Sequence, residues 1–408
     1  MAGMALEGLS ILDVSQAISL PAGTKLLADC GAEVIKVESA VHLDPCRLAS
    51  FVDSDPGKKY WERGTAYLTA NPNKRSLVLA LDKPRGREIF KELVKVSDVV
   101  TENFSPRVMR NFGLDYPVLK EIKEDLIMVS SSGFGHTGPW RDYVSYGYSM
   151  EPMSGISQVT SYPDRPPLRS FHAYNDWLGA LYCMVLIVSA LEYWRRTGKG
   201  LYVDFSQYEA GVCAVAESIM EFTMNGRVQA RRGNRHSSMA PHGCYRCDRW
   251  AAIAVSSDEE WRALCRVMGN PPWTADERFS DQLNRWLNQD ELDPLIEEWT
   301  RTRDCYEVMH TLQAAGGAAG AVLDNRDFPL DPHVKARDFF WVATRAETGT
   351  RPCYGSWQKL SKTPPALRMA APTLGEYNEQ ILSELLGLSK QEIDDLAGEN
   401  IIATAPPG

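Results

Sequence analysis

The feature that most constrains this 408-residue chain is an alternation in its first 130 residues. The short apolar runs "LSILDVS", "AEVIKVE", "RSLVLAL", "DVVTENF" and "IMVSSSGFG" read as strands. The intervening stretches "PAGTKLLADCG", "KPRGREIFKELVKVS" and "YPVLKEIKEDL" carry apolar residues at helical spacing, and Gly31 ends the first of them. Strands alternating with helices of about 10–15 residues imply βαβ units and a mainly parallel sheet. The expected fold class is α/β.

Further along, Leu178–Leu191 is almost wholly apolar and ends in "RRTGKG". It falls short of the ~20 residues a membrane crossing needs and reads as a buried helix with cations at its C-terminus. The basic, Gly- and Pro-punctuated stretch "GRVQARRGNRHSSMAPHG" reads as a linker into a smaller α+β region holding "WAAIAV" and "DEEWRALCRVMG". Near the C-terminus, Ser389 followed three residues on by Glu392 predicts a capped helix start.

Composition excludes several classes. A net charge of −9 argues against a nucleic-acid surface, which needs a basic stripe. The opening "MAGMALEGLSILDVSQ" lacks the basic start and apolar core of a leader. The nine cysteines are scattered and odd in number, as expected of reduced thiols in the cytoplasm, with no membrane contact. Cys244 and Cys247 lie near His236 and His242, but no second ligand pair follows at zinc spacing, so no metal is expected. The alternation in "CYRCDRWAAIAV" reads instead as a strand with small apolar thiols.

Nucleotide and hydrolase motifs are missing: no G-x-x-x-x-G-K-[ST], no G-x-G-x-x-G after the first strand, no G-x-S-x-G. Three features can carry chemistry. Asp176 opens the apolar helix, where it can cap the helix or act as a nucleophile. Lys74 and Arg75 precede a strand and can reach a phosphate, and Asn103 with Phe104 sits at a strand's C-terminal end, where open α/β sheets bind ligands.

Taken in order, these strings resemble the class III CoA-transferases, the CaiB–BaiF family. The resemblance runs through "LEGLSILDVSQAISLPAGTKLLADCGAEVIKVE", "NPNKRSLVLALDKPRGRE", "VTENFSPRVMRNFGLDY", "SSSGFGHTGPW", "YNDWLGALYCMVLIVSALEYWRRTGKG" and "VDFSQYEAG". It continues in "RRGNRHSSMAPHGCY", "DPHVKARDFF" and "APTLGEYNEQILSELLGLSKQEIDDL", covering almost the whole chain.

The resemblance implies a Rossmann-like large domain over 1–225 and 330–408, and a linker with a small α+β domain over 226–329. It implies a homodimer of interlocked chains, with a heteromer of related subunits as the alternative. It implies that coenzyme A, as substrate thioester, passes from an acyl-CoA such as succinyl-CoA to an organic acid through an aspartyl-CoA thioester on Asp176. The helix N-terminus is expected to keep that Asp ionised. For CoA binding it points to Gln16, Ile18, Ser39, Lys74, Arg75, Leu79, Asn103, Phe104, Ser145 and Tyr146. Arg107 and Arg110 are the two candidates where the family's phosphate Arg is replaced by Asn111. The acyl pocket is expected at Trp140, Tyr148, Trp177, Ser238 and Met239, which suits a bulky or aromatic acceptor such as benzylsuccinate. The stretch "HSSMAPHG" matches the glycine-rich lid of some relatives but carries side chains. Two alternatives share the resemblance: an acyl-CoA racemase or epimerase, whose catalytic His is replaced here by Ser145, and the CoA-binding subunit of a two-chain transferase.

Overall fold

A computed structural model describes residues 3–170 and 173–407. Six parallel strands form the central sheet: β1 (Ser10–Asp13), β2 (Glu33–Glu38), β3 (Lys74–Val78), β4 (Val99–Glu102), β5 (Ile127–Ser132) and β6 (Leu201–Ser206). Their order is β3-β2-β1-β4-β5-β6, with Leu12 opposite Ile35 on one side and Val100 on the other. β1, β4 and β5 are buried along nearly their whole length, as expected of a parallel sheet covered on both faces. The order reverses direction between β1 and β4, and the crevice at the C-terminal ends of those strands is where such sheets bind ligands.

Each face has its own core. On one, Leu12, Val37, Phe90 and Met128 pack with Ile381, Leu382, Ile393 and Leu396, so the C-terminal helices belong to this domain. The Ser389–Glu392 cap forms as expected: Ser389 Oγ accepts from Glu392 N, and Glu392 accepts from Ser389 N at 2.8 Å. On the other face, Ile11, Val99 and Val129 pack with Ile187 and Ala190 of the helix Tyr174–Thr197.

That helix differs from expectation. At 24 residues it is longer than the apolar run, and by length and composition alone it would suffice to cross a membrane. It is buried on one side only. Gly179, Ala180, Cys183 and Ile187 face inward, while Leu181, Val185 and Val188 are exposed. Inward it packs on the helix Ser19–Asp29, so closely that a Cβ on Gly23 would lie 2.7 Å from the Ala180 carbonyl oxygen.

The chain divides into two compact units. The larger comprises residues up to Ser157, Arg169–Thr223 and Lys335 onward; the smaller comprises Gln158–Leu168 and Met224–Val334. The smaller unit is α+β, with an antiparallel sheet of β7 (His242–Arg246), β8 (Trp250–Ala254) and β9 (Ala318–Ala321). Trp261, Phe279, Leu292, Ile296 and Val308 form its core. Cys244 lies on β7 and Cys247 packs in this core, and all nine thiols are free. The segment Gln158–Leu168, which the sequence reading left with the large domain, is tied to this unit by Gly233 N donating to Ser161 O at 2.9 Å and Asn234 donating to the Tyr162 hydroxyl at 3.0 Å.

Candidate active site

Two adjoining cavities open at the reversal point of the large sheet, both within the larger unit. Their shared wall is Gln16, which follows β1, and Phe104, which follows β4. The wall is fixed by a two-way clasp. Gln16 N donates to Asn103 Oδ1 at 2.7 Å, and Asn103 Nδ2 returns a bond to Gln16 O at 2.7 Å. The first cavity, about 300 Å³, lies over the ends of β1, β2 and β3, with Ser39, His42, Leu79 and Val108 in its lining. The second, about 180 Å³, lies over β1, β4, β5 and β6 and holds Asp176.

Asp176 sits in the first turn of its helix, but the cap is Ala173, in the left-handed region at φ 48°. Capping is therefore not its role. Among the described residues its carboxylate makes no hydrogen bond and no ion pair. Burial pushes its pKa from 3.8 up to about 7. The expected ionising effect of the helix terminus is thus outweighed by desolvation. Gly147 explains how the wall closes on it: a Cβ there would lie 2.5 Å from Asp176 Oδ2. Any side chain at that position would displace the carboxylate.

Of the expected contacts, Gln16, Asn103, Phe104, Ser145 and Tyr146 line the cavity with Asp176, and Ser39 and Leu79 line its neighbour. Arg107 is exposed between Pro106, in one lining, and Val108, in the other, and has no partner among the described residues. Arg110 is also exposed but lies 3.9 Å from Asp115. Arg107 is the freer cation of the two.

Other expected residues lie elsewhere. Lys74 is fully buried, donating to Asp13 Oδ2 at 3.1 Å, Pro21 O at 2.8 Å and Asn71 Oδ1 at 2.9 Å. It is an internal counterion and has no donor left for a phosphate. Burial works against the Asp13 carboxylate, but Lys74, Lys36 and the Ser15 and Thr24 hydroxyls outweigh it and hold its pKa near about 2. Arg75 pairs with Glu33 at 2.9 Å and Glu384 at 3.5 Å, at the strand's N-terminal end, away from both cavities. Ile18, expected at CoA, and Trp177, expected in the acyl pocket, pack with Ala22, Ala70 and Ala180, and Trp177 meets Tyr354 edge-on at 6.2 Å; neither is in the lining of either cavity. Trp140 stands one layer back, stacked on the lining residue Tyr143 at 6.3 Å. Tyr148 is exposed under the Arg169 guanidinium at 4.2 Å. Ser238 and Met239 belong to the smaller unit.

Sequence reasoning missed Ser19, Ser132, Arg141, Tyr143, Gly147 and Gln207, all in the Asp176 cavity. His136 anchors the loop between β5 and this wall. Its Nδ1 is 2.8 Å from the Tyr202 hydroxyl, its Nε2 is 3.6 Å from Glu102, and its backbone N donates to Asp204.

Comparison with known proteins agrees with this architecture. The family model "CoA-transferase family III" matches residues 6–378. The succinyl-CoA–D-citramalate CoA-transferase of Chloroflexus aurantiacus is 33% identical over 401 residues, covering 97% of this chain and 98% of the relative. The beta subunit of the succinyl-CoA–L-malate CoA-transferase from the same organism is 30% identical, covering 97% and 98%. The crystal structure of a CaiB/BaiF family protein from Brucella suis superposes with a TM-score of 0.84 at 30% identity, over 94% of this chain and 100% of that one. The chain therefore belongs to CoA-transferase family III, the CaiB/BaiF enzymes, and catalyses CoA transfer between an acyl-CoA and a free carboxylic acid.

Proposed function

We propose that the chain transfers coenzyme A from succinyl-CoA to a small organic acid through covalent intermediates on Asp176. The observation that carries this is a solitary, partly buried and desolvated carboxylate, without hydrogen bond or counterion among the described residues, at the wall of a cavity on the sheet's reversal point.

The chemistry follows from the carboxylate. Ionised Asp176 attacks the succinyl thioester carbonyl. The C–S bond breaks, CoA leaves as thiolate and a mixed anhydride joins the acyl group to Asp176. The thiolate then attacks the Asp176 carbonyl; the anhydride C–O bond breaks and succinate leaves, giving an aspartyl-CoA thioester. The acceptor carboxylate repeats these steps in reverse order and regenerates Asp176. No proton needs to move once Asp176 is ionised, so the site needs activation and water exclusion rather than a base. Desolvation supplies both: it raises the energy of the free carboxylate and guards the anhydrides against hydrolysis.

In this reading the larger of the two cavities takes the CoA body, with Arg107 near its phosphates, and the Asp176 cavity takes the acyl group. At about 180 Å³ the latter is below the ~300 Å³ at which ordinary ligand pockets begin, which supports a small acid over the bulky or aromatic one expected from the sequence. The relatives named for D-citramalate and L-malate point the same way. Ser145, lining the cavity where a racemase would carry its His, supports transfer over α-proton exchange. The exposed stripe Leu181, Val185 and Val188 supports a partner chain, either a second copy in an interlocked dimer or a related subunit. Nine free thiols and a diffusible CoA thioester suit the cytoplasm. The test is a screen of short organic acids with succinyl-CoA, reading new acyl-CoA products. Transfer to a small acid that Asp176→Ala abolishes, with CoA affinity kept within a few-fold, is expected. Full activity in that variant refutes the assignment.

A further inference from the structure

Three polar atoms in the Asp176 cavity have no partner among the described residues, although their side chains are almost fully buried. They are Ser19 Oγ, Ser132 Oγ and Gln207 Oε1, on residues 2%, 2% and 4% exposed. Buried polar atoms without a partner are uncommon and costly, at about 1–3 kcal/mol each, so three in one cavity call for a ligand. All three residues line that cavity, and Ser19 and Gln207 approach Gly179, one helical turn along from the nucleophile. A Cβ on Gly179 would meet Ser19 Oγ at 2.2 Å and Gln207 Cγ at 3.5 Å, and Gly179 follows Asp176 by three residues.

The orientation of Gln207 is decided by its other end. Its Nε2 donates to Ser131 O at 2.9 Å and Ser131 Oγ at 3.2 Å, and a carbonyl oxygen can accept only from the NH₂ group. The free end is therefore the carbonyl oxygen, which only accepts. The serine hydroxyls can donate to a carboxylate or to an acyl oxygen, but Gln207 needs a donor from the ligand. A simple dicarboxylate at neutral pH has none. A hydroxyl on the carbon chain supplies one. An ammonium would also donate, but among the described residues the only carboxylate lining the cavity is Asp176, which must stay free to attack. The amides of the pantetheine arm and cavity water are the other sources, and an acyl group that fills the cavity displaces the water. On the reading above CoA lies over β1, β2 and β3, whereas Ser132 ends β5 and Gln207 follows β6, at the other end of the sheet order.

We propose that Gln207 is the specificity-determining residue of this transferase, selecting a hydroxylated short dicarboxylic acid as acceptor by accepting a hydrogen bond from its hydroxyl, with Ser19 and Ser132 donating to its oxygens. The inference rests on the transferase reading above. A site with a buried acceptor for a substrate hydroxyl favours the acid that carries it, because the acceptor is otherwise left unpaired, and the succinyl group of the donor enters at that cost.

The test compares acceptors that differ only in the hydroxyl, with succinyl-CoA as donor: citramalate against 2-methylsuccinate and 2-hydroxyglutarate against glutarate, each in both enantiomers where chiral. In the native enzyme, kcat/KM should favour the hydroxylated acid of at least one pair by about tenfold or more. In Gln207→Leu that ratio should fall to within about threefold of one. The native ratio stands as evidence even if the variant fails to fold. The proposal is overturned if the native enzyme shows no hydroxyl preference, or if the preference survives in Gln207→Leu. It is equally overturned if both acids lose equally while KM for succinyl-CoA rises, or if neither pair is accepted while succinyl-CoA still labels Asp176. Absence of the Asp176 label is a separate failure, that of the transferase reading itself.

Discussion

Asp176→Asn should stabilise this protein, and by an amount that grows with pH. The amide keeps the shape of the side chain but removes its charge. Burial carries the Asp176 pKa from 3.8 to about 7, which corresponds to about 4 kcal/mol of penalty on the ionised folded state. Between those two values the folded protein holds a proton that the unfolded chain has released. Stability therefore falls as pH rises through the window and levels off above the folded pKa. At about pH 5 part of this cost is already present, so the gain of the variant over the native protein should widen by about 2–3 kcal/mol between about pH 5 and pH 8. Urea unfolding of both proteins across that range, followed by tryptophan fluorescence, measures the difference directly. A gap that does not change with pH would show that Asp176 ionises normally, and the account of its reactivity would fail.

Other outcomes follow from the same geometry. Because only the ionised carboxylate attacks, kcat/KM should rise with pH through an apparent pKa of about 7; a profile already flat at about pH 5 contradicts this. Arg107→Ala should raise KM for the acyl-CoA by about five- to tenfold with a smaller change in kcat. Lys74→Met, by contrast, should cost about 3 kcal/mol in urea unfolding by stripping a buried counterion from Asp13, with KM of the folded fraction unchanged. Gly147→Ala should lower kcat by about tenfold or more with an unchanged circular dichroism spectrum, since its methyl would lie 2.5 Å from Asp176 Oδ2 and push the carboxylate aside.

The large sheet was legible because its strands carry their own signal: five apolar runs, separated at helical distances, can pair only as a parallel sheet. The position of Asp176 was legible for a similar reason, since a carboxylate at the head of an apolar helix breaks the pattern. What could not be read was which way side chains point. Lys74 looks like a surface cation because its partner, Asp13, lies 61 residues away in sequence. Trp177 looks like a pocket wall because a helix apolar on nearly every side does not declare its inner face. Gln207 was overlooked for the converse reason. A glutamine opening a helix looks solvated, and only the pairing of β5 with β6 brings it beside Ser131 and into the cavity. The effect of burial on Asp176 was also hidden, because desolvation is a property of the assembled wall, above all of the close approach of Gly147.

The central claim is that CoA becomes covalently attached to Asp176. Incubating the enzyme with succinyl-CoA, trapping with hydroxylamine or borohydride, and mapping the peptides by mass spectrometry measures this directly. Modification confined to Asp176, dependent on succinyl-CoA and reversed by acceptor acid before trapping, is the predicted result. An unmodified Asp176 with deuterium entering the acyl α-carbon from solvent would contradict it and favour proton exchange in its place.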